Sequence, residues 1–384
     1  MIRWGACLVA AGLVLPLPWG AAQGAFLWAS PLLLATAWLA AFHVVAWQVL
    51  GLAVGGMSWI KPRWFCRFLC PTGALCDAAA ACGRPLRPLA TIPALQKTLC
   101  LAGLILAILG LPLLALLDPL NLFSAFFDLW QPIPAEAQWF KASLLLLVVC
   151  SNLILPHAWC QRVCPLGGLQ DSLTDARAWL QRPPSERVPF MSSRRAALTA
   201  LVAAGGGVWL RPEEAVANGT LRPPGARPGA AFQRLCARCG NCVKSCPTRI
   251  IQSSGIDGPI WDWLTPQICF VDSYCLPECN RCGAVCPSGA IAPFTPEQKS
   301  SLVLGTAVID LERCLLTEGR ECDRCKAACP YDAVAIVLPA DAFFSIPQIS
   351  PTRCVGCGAC AILCPVLVIT IAPLHPEHPS IPRE

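Results

Sequence analysis

Apolar stretches dominate the first half of the chain: Ala6 to Ala22, Leu32 to Met57, Leu99 to Leu117 and Ala142 to Pro156. Each approaches the ~20 residues an α-helix needs to span hydrocarbon, the first and last marginally. A further run of small and apolar residues opens at Ser193-Arg194-Arg195 and ends near Leu210. Beyond residue 235 the long runs stop, and short apolar groups recur instead, each behind a Cys-Pro.

The polar segments between the runs divide by charge. Lys61, Arg63, Arg67, Arg84, Arg87 and Lys97 lie between the second and third runs; Arg162, Arg177, Arg182, Arg187, Arg194 and Arg195 follow the fourth. Between the third and fourth stand Asp118, Asp128 and Glu136, with Lys141 the lone cation. The positive-inside rule places the two Arg-rich stretches in the cytoplasm and the acidic loop outside. The first run, with Arg3 before it, reads as a helix or alternatively as a cleaved signal peptide.

Composition agrees with a membrane part: 55% hydrophobic and 14% charged residues, mean hydropathy +0.56. The net charge of +6 has no Lys/Arg cluster interleaved with aromatics, so nucleic acid is not an expected partner. The 26 cysteines are too regularly spaced for a disulfide scaffold.

Both Arg-rich stretches contain one phrase, Cys66-Arg-Phe-Leu-Cys70-Pro71-Thr-Gly73-Ala-Leu75-Cys-Asp77 and Cys160-Gln-Arg-Val-Cys164-Pro165-Leu-Gly167-Gly-Leu169-Gln-Asp171, which marks a duplicated helix-pair unit. A spacing of four puts both sulfurs on one helical face, so Cys66, Cys70, Cys160 and Cys164 form a redox or metal site, with structural zinc or a redox thiol pair as alternatives. Cys76 and Cys82 add candidate ligands, and His157 stands beside the site; Cys7, Cys100 and Cys150 read as core residues. Of the four histidines, only His43 lies within a run, which argues against a bis-histidine haem. His43 or Asp118 is a candidate for hydrogen bonding a quinone.

The run after Arg194-Arg195, followed by Ala215-Val-Ala217, has the parts of a twin-arginine export signal set in mid-chain. Export of folded cargo suits a domain loaded with clusters in the cytoplasm. The alternative is a cytoplasmic linker.

That domain carries a repeated motif. Cys236, Cys239, Cys242 and Cys246-Pro247 form a complete CxxCxxCxxxCP, as do Cys354, Cys357, Cys360 and Cys364-Pro365. Cys275, Cys279, Cys282 and Cys286-Pro287 have one extra residue in the first gap; Cys314, Cys322, Cys325 and Cys329-Pro330 have a displaced first cysteine. At this spacing three cysteines serve one iron–sulfur cube and the fourth turns to a neighbour, so sixteen ligands serve four [4Fe-4S] clusters in two bicluster modules. Each Cys-Pro leads into a strand-like run: Thr-Arg-Ile-Ile, Ser-Gly-Ala-Ile, Tyr-Asp-Ala-Val or Val-Leu-Val-Ile. Cys269 is left over, as a buried thiol or a substitute for Cys275. No acid, base or nucleophile constellation accompanies the motifs, so catalytic residues are not expected.

The fold class is therefore α+β multidomain: an N-terminal transmembrane helix bundle of four helices plus a fifth linking helix, and C-terminal tandem bicluster ferredoxin-like domains. Domain boundaries fall at 1–190, 191–230 and 231–384.

The C-terminal half resembles NapG/MauM ferredoxin-type proteins in its twin arginine, Leu221-Arg222-Pro223-Pro224-Gly225-Ala226, its first motif, Cys286-Pro-Ser-Gly-Ala and the Cys314 to Cys329 insertion. The N-terminal half resembles the membrane part of NapH/MauN, in two CxxxCP loops and His157-Ala-Trp-Cys160. The resemblance implies electron transfer from the quinol pool, through a multi-pass inner-membrane protein with a periplasmic ferredoxin domain. The implied acceptor is a periplasmic redox protein of the nitrate or nitrous oxide reductase or amine dehydrogenase type. A maturation factor for a periplasmic metalloenzyme is the alternative. Proteins of the NapH type carry cytoplasmic ferredoxin clusters after the fourth helix; this chain has no CxxC there.

Overall fold

The computed structural model describes residues 2–14, 26–41, 46–83, 95–130, 136–183, 194–209, 219–339 and 343–373. His43, Arg84, Arg87, Arg187, Ser193, Ala217, His375 and His378 lie outside the described residues. The first half is helical: α1 (Ile2–Val14), α2 (Pro31–Ala41), α3 (Val49–Ile60), α4 (Trp64–Phe68), α5 (Pro71–Cys82), α6 (Gln96–Ile108), α7 (Pro119–Phe126), α8 (Glu136–Ile154), α9 (Pro165–Gln181) and α10 (Arg194–Trp209).

Local chemistry sets the boundaries. α5, α7 and α9 each begin on a proline, whose missing N–H is no loss at the first helical position. The residue before each proline caps the helix: Cys70 Sγ accepts from Gly73 N, Asp118 from Leu120 N and Cys164 Sγ from Gly167 N. The third apolar stretch does not remain helical to Leu117. Gly110 at φ +86° and Pro112 close α6 at Ile108, and Leu113–Leu117 continues as a 3-10 turn.

The expected bundle of four spanning helices is seen only in part. Among the described residues, α8, with 19 residues, is the one helix long and apolar enough to cross a membrane; the other apolar helices are shorter. The surface is nonetheless apolar outward, with Trp139, Phe140, Leu146 and Leu147 on α8, Val49, Leu50 and Leu52 on α3, and Leu198, Leu201 and Val202 on α10 all exposed. Gln138, Lys141, Asn152 and Gln170 are buried inside instead. α10, the expected linking helix, lies on α6, with Ala203, Gly206 and Gly207 lining a shallow groove against Ala102 and Leu106. Small residues at such a contact let the backbones approach closely.

The second half adds short helices α11 (Ala230–Leu235), α12 (Asn241–Ser245), α13 (Arg281–Ala284), α14 (Arg324–Ala328) and α15 (Ala359–Ile362). Its strands are β1 (Ile251–Ser253), β2 (Pro266–Ile268), β3 (Gly305–Ile309), β4 (Val334–Val337), β5 (Ile346–Ile349) and β6 (Ile369–Pro373). They pair antiparallel as β1–β2, with Ile251 opposite Ile268, as β4–β5, with Val334 opposite Ile349, and as β3–β6, with Ile309 opposite Ile369.

The strand-like runs behind each Cys-Pro are shorter than they read. β1, β4 and β6 start only at the last residue of three of them, and the fourth makes a single bridge, Ala226 to Ile291. The cause is a left-handed residue three positions after each cysteine: Arg249 (φ +58°), Gly289 (+72°), Asp332 (+50°) and Leu367 (+53°). No strand passes through that conformation.

Candidate cluster and thiol sites

The duplicated phrase folds into a duplicated site. In the first copy Arg3 pairs with Asp77 and donates to Cys66 O (3.2 Å); in the second Arg63 pairs with Asp171 (2.5 Å) and donates to Cys160 O (3.4 Å). Gly73 N reaches Cys70 Sγ at 3.3 Å and Gly167 N reaches Cys164 Sγ at 3.4 Å. Two helix N-termini, with their positive dipole ends, thus converge on sulfur.

The four predicted cysteines interact electrostatically with one another, and Cys76 joins them by donating a hydrogen bond to Cys160. Gln170 also donates to Cys66 Sγ at 3.1 Å. Cys82 stays exposed, apart from the group. His157 lies beside the site through its Nδ1 contact to Asp77 at 3.3 Å. Of the three presumed core thiols, Cys7 and Cys100 are buried, but Cys150 sits on the exposed face of α8. Asp118, proposed for a quinone, is fully buried and holds Ser30 Oγ and the N-terminus of α7.

In the second half, each motif bends where its sulfurs must face inward. Arg238 and Gly240 in the first motif are left-handed, as are Gly356 and Gly358 at the same positions of the fourth (φ +58°, +77°, +71° and +85°). Arg238 is held in this strained state by its buried guanidinium, which donates to Trp263 O and Trp261 O at 2.8 Å and to Cys236 O at 3.1 Å. The turn after the Cys-Pro points amides at sulfur: Ile291 N reaches Cys286 Sγ at 3.4 Å and Ala333 N reaches Cys329 Sγ at 3.3 Å.

The fourth cysteines are exchanged between motifs. Cys286 joins Cys236, Cys239 and Cys242 around one pocket, and Cys329 joins Cys354, Cys357 and Cys360 around another. Cys246 interacts with Cys275 and Cys282; Cys364 shares a small core with Cys314 and Cys325. The first motif therefore pairs with the second and the third with the fourth. Cys275 interacts with Cys246 and Cys279, while Cys269 is affected by burial alone.

Between quartets, Cys242 interacts with Cys282, Cys275 with Cys357 and Cys360 with Cys325. The spatial order is first, second, fourth, third. Cys275 N donates to Cys357 O at 2.9 Å across the module boundary.

The chemistry of these pockets fits an anionic cube. Among the described residues no three His, Cys, Asp or Glu converge closely enough for a single metal ion. The quartets instead ring pockets walled by apolar residues such as Phe232, Leu264 and Ile291. Burial pushes the Cys239 and Cys360 thiols up to about 12 and Cys357 up to about 11. Such thiols remain neutral until a metal holds them as thiolates.

Buried cations surround the first two quartets. Lys244 and Arg238 lie beside the first, and Lys299, donating to Cys279 O at 2.7 Å, lies beside the second. Asp128 neutralises only one of its two buried partners, Lys141 (3.0 Å) and Lys244 (3.6 Å), leaving a surplus positive charge next to Cys239. An unpaired buried charge is expensive, and a negative cluster compensates it.

Asp128 also docks the two halves together. Its carboxylate packs on Gly240 of the first motif, and Lys141 Nζ reaches Ser253 Oγ at 2.9 Å. α7 supplies further contacts: Asn121 donates to Ala237 O (2.8 Å), and Ser124 donates to Asn241 Oδ1 (3.0 Å) and accepts from Lys244 Nζ (2.8 Å). At the other end of α7, Thr72 Oγ1, two residues past Cys70, donates to Pro119 O at 2.6 Å. One helix thus touches both the CxxxCP site and the first quartet. Asp128 and Lys141, read from sequence as loop charges, are interface residues, and the residue that explains them, Lys244, lies over a hundred positions downstream.

Known proteins match the same half. A family model for a 4Fe-4S dicluster domain matches residues 274–333 and 320–368. The methylamine utilization ferredoxin-type protein MauM of Methylobacillus flagellatus is 32% identical over 187 residues, 47% of this chain and 80% of that protein. The ferredoxin-type protein NapG of Escherichia coli (strain K12) is 33% identical over 198 residues, covering 48% of this chain and 83% of NapG. NapF of the same organism is 31% identical over 160 residues, covering 41% and 88%. No solved structure matches the chain. The shared length is that of the motif-bearing half, and the chain belongs to the NapG/MauM family of ferredoxin-type, iron–sulfur electron-transfer proteins.

Proposed function

We propose that this chain is a membrane-anchored relay that takes electrons from quinol and delivers them to a periplasmic redox protein, with residues 1–190 as membrane domain, 191–230 as anchor and 231–384 as ferredoxin domain. The sixteen cysteines Cys236, Cys239, Cys242, Cys246, Cys275, Cys279, Cys282, Cys286, Cys314, Cys322, Cys325, Cys329, Cys354, Cys357, Cys360 and Cys364 hold four [4Fe-4S] clusters, which supply one-electron storage when bound. Cys66, Cys70, Cys160 and Cys164 form the membrane domain's redox site, the metal alternative being disfavoured because, among the described residues, no three of these groups converge on a single ion.

The observation that carries this reading is α7, which bonds the first CxxxCP loop at Pro119 and the first quartet loop at Asn121 and Ser124. At 1.5 Å rise per residue Pro119 and Ser124 are about 7 Å apart along the helix, so the two loops are held at either end of one short element. In this reading the CxxxCP loops share the membrane face of the ferredoxin domain, and the cytoplasmic placement expected from their arginines, opposite the acidic loop, is given up, since α7 of that loop bonds both. Support for anchoring comes from the outward Leu, Val and Trp side chains of α3, α8 and α10. Oxidation of one quinol to quinone releases two electrons and two protons, so the relay moves electrons singly, in pairs of events.

The test is the full chain in proteoliposomes, given a reduced quinol with the iron–sulfur signals followed by EPR. Quinol-dependent reduction is expected. If dithionite reduces the clusters and quinol never does, the relay is wrong and an assembly role takes its place. A topology reporter after Glu384 should signal from the periplasm; a cytoplasmic signal would falsify the export arrangement.

A further inference from the structure

Tyr331 stands at the boundary between the two dicluster modules. It follows Cys329-Pro330, lines the pocket of the fourth quartet with Cys329, Cys354, Cys357 and Cys360, and packs on the core that contains Cys275 and Ile291. Its hydroxyl oxygen is buried and has no hydrogen-bond partner in the protein, although sulfurs of Cys357, Cys275 and Cys329 surround it. A buried phenol O–H without a partner keeps its full desolvation penalty, so such a group implies an acceptor that the polypeptide does not provide. The acceptors at hand are thiolate or bridging sulfurs of a cluster held by those cysteines.

We propose that Tyr331 is the positioning residue that joins the modules: its hydroxyl donates to cluster sulfur between Cys275 and Cys357, making the second and fourth quartets electronic neighbours. Motifs adjacent in sequence, the second and the third, are then not adjacent in the relay. The inference rests on the iron–sulfur reading and is independent of the quinol donor.

The test uses the full-length protein loaded with iron, titrated potentiometrically with dithionite and read by EPR, with iron counted per chain. Tyr331→Phe keeps the ring and removes only the donor. A hydrogen bond to cluster sulfur favours the reduced, more negative state, so its loss should lower the midpoint of the second or fourth quartet. The expected shift is up to tenfold in the reduced-to-oxidised ratio at fixed potential, which is 59 mV for one electron. The first and third quartets should not move. The magnetic interaction between the second and fourth signals should persist, because the ring and the Cys275–Cys357 backbone bond remain.

Four unchanged midpoints in the loaded variant overturn the proposal. So does a variant that sheds the iron of one quartet without any shift in the rest, since that assigns Tyr331 a purely structural role. Loaded wild-type protein in which the second signal couples to the third instead of the fourth overturns it as well. Wild-type protein that takes up no iron refutes the underlying reading instead.

Discussion

The first and second dicluster modules share a turn and an exchange of fourth cysteines, but their surroundings differ. Around the first module Arg238, Lys244 and Lys299 are buried to within 1%, 8% and 2% of full enclosure. In the second, Arg313, Arg320, Arg324, Lys326 and Arg353 are all exposed. The first is pressed onto α7 and α8; the second is attached through the first, with Leu363 and Leu367, either side of Cys364, open to solvent. The shared turn and exchange therefore leave the protein two means of distinguishing its clusters: buried charge and solvent access. The module that touches the N-terminal helical half uses the first, and the outer module uses the second.

The largest effect tests the exchange on which the comparison rests. Cys286→Ala, a change in the second motif by sequence, should abolish the EPR signal and iron of the first quartet and leave the second quartet loaded. Cys236→Ala should give the same spectrum. If the two variants lose different signals, the modules are not built as described and the contrast between them has no basis.

Next in size is the docking charge. Asp128→Ala leaves Lys141 and Lys244 buried without an anion, and breaking a buried pair costs about 3–5 kcal/mol. The loss should be read as proteolytic release of the second half from the first and as lower quinol-dependent reduction, with dithionite reduction retained. The exposed pair Lys97–Asp175 is the control, since it contributes about 0–1 kcal/mol. Equal sensitivity of the two pairs would show that Asp128 does not carry the docking.

These two predictions also mark what was legible in the chain. Cluster ligands are local, because a cube needs three thiolates within one short loop, so Cys354 to Cys360 announce themselves by spacing alone. The partner of Cys364 is a tertiary fact, and no local pattern specifies it. The repeated phrase pointed to Asp77 and Asp171 without their partners. Arg3 and Arg63 were visible only as topological charges, since an arginine that orders a loop and one that faces the cytoplasm look alike in sequence. Helix lengths failed for a different reason. Hydropathy runs through Gly110 and Pro112 unbroken, yet backbone geometry ends α6 two residues before the glycine.

A smaller effect separates the modules by backbone strain. Gly358 has φ +85°, and a Cβ there would meet the ring of Phe270 in the first module. Gly358→Ala should destabilise the fourth quartet by about 1–3 kcal/mol, seen as earlier thermal loss of its signal. Arg238, which stands in the first motif where Gly356 stands in the fourth, already tolerates the left-handed region through its three carbonyl acceptors. Arg238→Gly should therefore relieve local strain while removing those bonds. A variant more stable than wild type would show that the three bonds do not offset the strain.

The smallest effect isolates charge from structure. Lys299→Gln keeps a donor for Cys279 O but removes a buried positive charge near Cys275 and Cys282, both of whose thiolates it favours. A cation near a cluster stabilises the more negative reduced state, so its loss should lower the midpoint of the second quartet, by up to about 59 mV if the change reaches tenfold. Lys326→Gln, beside Cys325 but exposed, is screened by water and should leave the third quartet where it was. Raising the salt concentration should then move neither midpoint in the Lys299 variant relative to wild type. Comparable shifts from the two substitutions would mean that solvent does not distinguish the modules, and that the difference in their buried charge has no electronic consequence.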